Sequence, residues 1–279
     1  MKKTSPGAYA LKFPVYLILF AIAAIVAYPI LLMFLDSAKP IAEFTKNPLG
    51  IPASWDFSSY PAAFKKANFR YAIPNSLFVL ALSEVFIVAL SSMAAYPIAR
   101  IKLKMNSALF ILFMTAMLVP AQIGAVPLFG MLSRLKLVNS LPMLSLQLFT
   151  SQLPIALFVY TGFMRQIPRE IEEAAITDGC GPARMFLSIV HPLSSQTTAT
   201  VVILTSLNVW NNFYYPLIFL TRSRTATLPV AIFALKQYET VKWPEMFAGM
   251  SIIVLPMIVL YVLLQKQMIR GMTSGAVKG

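Results

Sequence analysis

Four of the chain's ten acidic residues, Glu170, Glu172, Glu173 and Asp178, fall within one 27-residue stretch, REIEEAAITDGCGPARMFLSIVHPLSS, from Arg169 to Ser195. Clustered acids can run general acid–base chemistry, but only beside a nucleophile, a second base or a metal. One histidine, His191, and one cysteine, Cys180, allow neither a multi-ligand Cys/His metal site nor a disulfide framework within a single chain. No G-x4-G-K-[ST] phosphate loop occurs, so ATP is not bound by that device. Gly271 to Gly275 imitates a G-x-S-x-G nucleophile elbow, but its serine is the fourth residue and no strand precedes it. Catalysis finds no support, and the acids need another purpose.

Local chemistry suggests one. Pro168 suits a helix start, where its missing N–H would be unpaired anyway, and acids in the following turn are favoured by the helix dipole. Ala174 and Ala175 make a thin helix surface, and Gly179 is suited to end the helix with positive φ. Pro182 can start a second helix through Ala183, Arg184, Met185 and Phe186, which Pro192 disfavours beyond His191. The expectation is two short helices joined at a glycine elbow, with the acids outward and Phe186, Leu187, Ile189 and Val190 on the second arm. Such an elbow fits a partner's groove; an ordinary pair of helices lying on a membrane surface would carry the same pattern.

The elements that must position this elbow are membrane spans. Of 279 residues, 58% are hydrophobic and 12% charged, with a mean hydropathy of +0.73, more apolar surface than a soluble core can hide. Pro14 to Leu35 is uncharged for 22 residues and reads as a retained first span rather than a signal peptide, although Ala21, Ala23 and Ala24 resemble a cleavage site. Further spans are expected at 76–96, 107–129, 141–163, 197–220 and 247–264, giving a single all-α transmembrane domain of six helices over residues 1–279. Each must be helical, because unpaired backbone groups are intolerable in lipid. Pro120, Pro154, Pro216 and Pro256 would kink or break these helices, which favours a bundle around a wet path. The net charge of +13 is scattered between apolar runs rather than gathered on a soluble face, which excludes a nucleic-acid binder. Lys and Arg nearly balance between the two sides, with Arg100, Lys102 and Lys104 favouring an inside N-terminus.

Glu173-Ala174-Ala175, Gly179 after three residues, Ile189 after nine more and then Pro192 resemble the EAA loop of ABC importer permeases, E-A-A-x3-G-x9-I-x-L-P, with His191 where the pattern has leucine. Asn75-Ser76, Ala95 to Arg100, Trp210 to Phe213 and the terminal Gly271 to Gly279 are similar to the maltose-type carbohydrate permeases, in particular the six-span partner of their permease pair. The resemblance implies a type I permease fold in a bacterial cytoplasmic membrane, with the elbow and both termini inside. It implies a second permease subunit, two ATPase subunits that bind ATP and Mg, an extracytoplasmic solute-binding protein, a sugar or oligosaccharide as cargo, and no cofactor in this chain. Glu173, Ala174, Ala175, Asp178, Gly179, Ile189 and Pro192 would couple to the ATPase, with Glu173 pairing with a base there. Gly271 to Gly279 would reach toward the ATPase dimer, and roughly Thr221 to Glu245 would touch the binding protein.

Inside the spans, Glu84 is either part of a path or gate, or a protonated or hydrogen-bonded group joining helices. Asn208, Asn211, Asn212, Tyr214 and Tyr215 could line a sugar path, while an aromatic belt at the membrane surface explains the tyrosines equally well. Cys180 and the methionines read as packing, and His191 as a neutral contact or a group titrating near neutral pH. Alternatives are an importer of a glycerophosphodiester or polyol, and a carrier driven by an ion gradient; the latter usually shows internal repeats, which are not seen.

Overall fold

The computed structural model describes the backbone of residues 6–236 and 242–276, and the side chains of 14–120, 122–236 and 242–266. Every regular element among the described residues is helical. Among the described residues, four unbroken helices are long and apolar enough to cross a bilayer core of roughly 30 Å: Pro14–Ser37, Phe69–Arg100, Leu141–Met164 and Trp243–Lys266. The chain is a multi-pass membrane protein, and it divides into two compact units, Met1–Ala67 with Ile232–Val254, and Asn68–Ala231 with Leu255–Gly279.

The first unit opens with α1 (Pro6–Ser37), apolar on every side, with none of its most hydrophobic window buried. Such a helix is stable in lipid and not in water. At its end Lys39 turns back, fully buried, to donate to Asp36 at 2.7 Å and to the carbonyls of Asn47 and Pro48 at 3.0 and 3.3 Å. A buried ammonium needs that many partners to offset its lost hydration. Two short helices follow, α2 (Ile41–Lys46) and α3 (Ser59–Lys66), tied by Tyr60 to Ser37 at 2.8 Å. The first turns of the last long helix, which begins at Trp243, join them: Phe247 packs on Phe44 at 5.8 Å, and Glu245 accepts from Lys66 at 2.7 Å.

The second unit is organised on one seam. Phe69, Ala72, Ser76, Val79, Ser83, Ile87, Ser91 and Ala95 of α4 (Phe69–Arg100) recur every three or four residues and are buried. They run along α7 (Leu141–Met164), against Ser145, Leu148, Ala156, Leu157 and Tyr160, while α5 (Lys104–Ala116) meets the end of α4 beside the basic link 101–103, where Asn106 donates to the Pro97 carbonyl at 3.1 Å. The small residues let the two backbones approach, and Ser83 donates to the Ser145 carbonyl at 3.1 Å. Between α5 and α7 lies α6 (Ala125–Arg134).

Two expected spans are not continuous helices. The 107–129 run stops at Ala116, passes Pro120 and one 3₁₀ turn at Ala121–Gly124, and resumes as α6. Pro120 has no N–H to donate and drives Val119 away from helical geometry. The 197–220 run breaks at Asn211, because the Pro216 ring cannot tolerate a helical carbonyl four residues back, at Asn212. Asn212 Oδ1 instead accepts the Tyr215 N–H at 3.2 Å, starting a new turn.

Candidate functional site

The chemistry of the elbow rests on two helix ends. The first arm, α8 (Arg169–Thr177), closes with a Schellman turn: Cys180 N–H donates to the Ala175 carbonyl and Gly179 N–H to the Ile176 carbonyl, both at 2.9 Å. Gly179 takes the left-handed position this motif needs, with φ +77°. A Cβ there would meet nothing within 4 Å, so the glycine answers to backbone conformation alone and leaves open space outside.

The second arm differs from the expected short helix ending at His191. It runs as α9 (Pro182–Met185), a wider π-type turn at Phe186–Val190 and α10 (His191–Leu193), and only then bends by 72° at Ser194 into α11 (Ser195–Trp210). Pro192 cannot donate into a helix, and the wide turn just before it absorbs that missing bond. Ser194 Oγ donates back to the Val190 carbonyl at 2.7 Å, fixing the corner.

These arms sort the predicted coupling residues. Glu173, Ala174, Asp178, Gly179 and Pro192 are exposed, whereas Ala175 is buried and Ile189 and Cys180 pack against the core. Ile176 and Leu187 are about two-thirds exposed, at 63% and 64%, so the outer surface joins acids to bare apolar side chains. That mixture suits a protein partner better than water. His191 sits with its ring 5.7 Å from Phe186, itself 5.8 Å from Tyr96, in an aromatic stack.

Not all the acids point outward. Glu172 turns inward to accept from Arg100 at 2.6 Å, the pair being only 12% and 10% exposed, and Tyr96 reaches the same carboxylate at 3.3 Å. Arg100 also donates to the Ile167 carbonyl at 2.9 Å. Glu172 thus ties the first arm to the end of α4, a role that reading the acids as one outward cluster missed. The i, i+3 spacing of Glu172 to the buried Ala175 was the available signal.

The residues expected along a path are held differently. Glu84 meets α11 through Thr205 Oγ1, 2.9 Å from both carboxylate oxygens. Asn208 donates to its own helix at Leu204, 3.0 Å, Asn212 starts α12 (Tyr214–Phe219), and Asn211 and Tyr214 are exposed. Asn75 and Ser76 fasten the chain before α13 (Leu228–Leu235): Asn75 donates to the carbonyls of Arg224 and Ala226 at 2.9 and 3.0 Å, and Ser76 accepts from Leu228 N–H at 2.8 Å. Asn139, also missed in the sequence, accepts from Thr221, Arg222 and Thr225. Of the expected binding-protein loop, residues 237–241 lie outside the described residues. The C-terminal stretch is helical to Ala276, the end of α14 (Trp243–Ala276), and 277–279 lie outside them too.

Residues 87–274 match the family described as binding-protein-dependent transport system inner membrane component. The chain belongs to this family. The melibiose/raffinose/stachyose import permease protein MelC of Bacillus subtilis is 32% identical over 267 residues, 94% of this chain and 96% of that protein. The arabinooligosaccharides transport system permease protein AraQ of the same species is 29% identical over the full length of both. The diacetylchitobiose uptake system permease protein NgcG of Streptomyces coelicolor is 28% identical over 93% of this chain and 86% of its own. In fold, the chain resembles a bacterial ABC transporter involved in the import of the acidic polysaccharide alginate, with a TM-score of 0.78 at 19% identity, covering 95% of this chain and 99% of that one. The family match begins within α4, at Ile87, and takes in the second half of that helix, all of α7, the elbow and most of α14.

Proposed function

We propose that the chain is a transmembrane permease subunit of a bacterial ATP-driven importer whose cargo is a sugar or oligosaccharide. The observation that carries this is relationship along nearly the whole chain to permeases named for oligosaccharide uptake, MelC, AraQ and NgcG. The chain crosses the membrane six times, in α1, α4, the broken pair α5–α6, α7, the pair α11–α12 and α14. Both termini and the elbow are cytoplasmic.

In this reading two separate ATPase subunits bind ATP and Mg and hydrolyse the nucleotide, while this chain pairs with a second, different permease and receives cargo from an extracytoplasmic binding protein. Glu173, Ala174, Asp178 and Gly179 with Pro192 form the face that enters the ATPase cleft. Ala175 and Ile189 hold the two arms to the bundle, and Glu172 ties the first arm to α4 through Arg100. Closure of the ATPase pair then pushes a stiff elbow rather than a loose loop, and the spans swing from inward- to outward-open. Glu84, Asn208, Asn211, Asn212 and Tyr214 border the path from the α4 and α11 side.

The test is uptake of radiolabelled raffinose into proteoliposomes holding the complete permease, ATPase and binding protein. Uptake that needs ATP on the ATPase side and the binding protein on the other is expected. Uptake driven by a proton or sodium gradient without ATP would transfer the function to an ion-coupled carrier.

A further inference from the structure

Beside the elbow, but not part of its outer face, a cavity of about 570 Å³ opens where the end of α4, the link Ile101–Leu103, the start of α5 and the end of α7 converge. Five bases line it, Arg100, Lys102, Lys104, Arg165 and Arg169, and no acidic side chain does. Arg100 is committed to Glu172. The other four are exposed and, among the described residues, form no ion pair; Arg165 lies over the Phe110 ring at 5.4 Å, and Arg169 donates to the Arg100 carbonyl at 3.4 Å. Four like charges around one hollow repel one another unless an anion enters.

The surroundings say which anion. The hollow lies where two membrane-spanning helices end, α4 at Arg100 and α7 at Met164, which is the depth of lipid headgroups. From it rises α5, whose Leu109, Ile111 and Leu112 are exposed and form an apolar wall. A phosphate among the bases would therefore have acyl chains lying along α5. We infer that this basin is a binding site for the headgroup of an anionic phospholipid, held by Lys102, Lys104, Arg165 and Arg169. Basic pockets between membrane helices bind such headgroups, and each base near an anionic lipid surface strengthens attraction about fivefold. The site steadies the link between α4 and α5 next to the Arg100 and Glu172 tether, so lipid composition would bear on the stiffness of the elbow. The inference requires only that α4 and α7 cross the membrane, and stands whatever the cargo or energy source.

The test is native mass spectrometry of the full chain in neutral detergent, titrated with phosphatidylglycerol, with phosphatidylcholine and with inorganic phosphate. The paired variant Lys102→Gln/Lys104→Gln removes two exposed charges that form no ion pair among the described residues. A control, Arg134→Gln/Lys136→Gln, removes the same charge beyond the opposite end of α7. Phosphatidylglycerol is expected to bind the native chain and the control alike and the Lys102/Lys104 variant roughly 30-fold more weakly, with phosphatidylcholine weak throughout. Equal binding of phosphatidylglycerol by native and Lys102/Lys104 variant, or of both lipids by the native chain, would overturn the site. Inorganic phosphate binding as tightly as the lipid would make it a free-anion site and overturn the lipid assignment.

Discussion

Gly179 and Lys136 occupy the same position in the same kind of turn, and only one of them is a glycine. Lys136 follows α6 with φ +56°, its N–H on the Ser133 carbonyl at 3.1 Å and the next N–H, from Leu137, on Leu132 at 2.8 Å. A side chain in the left-handed region costs about 1–2 kcal/mol, so Lys136→Gly should raise stability by about 1 kcal/mol and Gly179→Ala lower it by a similar amount, read as thermal unfolding in detergent. Because no atom crowds a Cβ at 179, a much larger loss would mean that the turn is under a load not visible in the backbone. Glu43 offers a pH test away from the spans. The Ala53 N–H it accepts holds its carboxyl below the ordinary value of 4.5. A lowered value means the bond adds stability above that ordinary value and gives it up as pH falls through the lowered one. Amide protection at Ala53 and Ser54, corrected for intrinsic exchange, should therefore fall as pH drops below 4.5, and Glu43→Gln should remove the pH dependence. An unchanged profile in that variant would assign the effect to another group. Legibility at this scale was uneven. Gly179 announced its turn by residue type, while Lys136 gave no sign, because nothing about lysine favours positive φ.

The tether between α8 and α4 is the element-scale feature on which the proposed coupling rests. Its partners are 72 residues apart, so no local pattern could have paired them, although each lay in a motif noticed for other reasons. Glu172→Gln leaves Arg100 nearly buried without its countercharge, and should cost about 3 kcal/mol in a detergent melt while sparing the exposed Glu173 face. Exchanging the two, Arg100→Glu with Glu172→Arg, should recover only part of this, because a carboxylate at 100 would face the Ile167 carbonyl that Arg100 now serves. Full recovery would mean that the pair acts by charge alone. The long spans were legible because an uncharged apolar run of that length has few other uses, yet the helices outrun the runs: α4 extends to Phe69 and Arg100 where hydropathy marked 76–96. Hydropathy finds the part in lipid, and the helix continues into the headgroups. The two broken spans were foreshadowed by Pro120 and Pro216, but a proline tells that a helix is disturbed, not whether it kinks or stops.

At the scale of the whole molecule, the account makes the chain a lever. A seam of small residues joins α4 to α7, the tether joins α4 to the elbow, and the elbow offers Glu173, Ile176, Asp178 and Leu187 outward. The motif made that elbow readable in the sequence; the direction of each acid became readable only once Arg100 had a place in space. Lever and peg make separable demands, since Glu172 should matter to stiffness and Glu173 to docking. The most direct measurement is co-purification of the ATPase subunit from detergent with the native chain, Glu173→Lys and Glu172→Gln, each checked for an intact helical spectrum. The account predicts that native chain and Glu172→Gln retain the ATPase, and that Glu173→Lys loses it by at least tenfold, about 1.4 kcal/mol of docking energy. Retention of the ATPase by Glu173→Lys at the native level would contradict the assignment of this elbow as the docking peg.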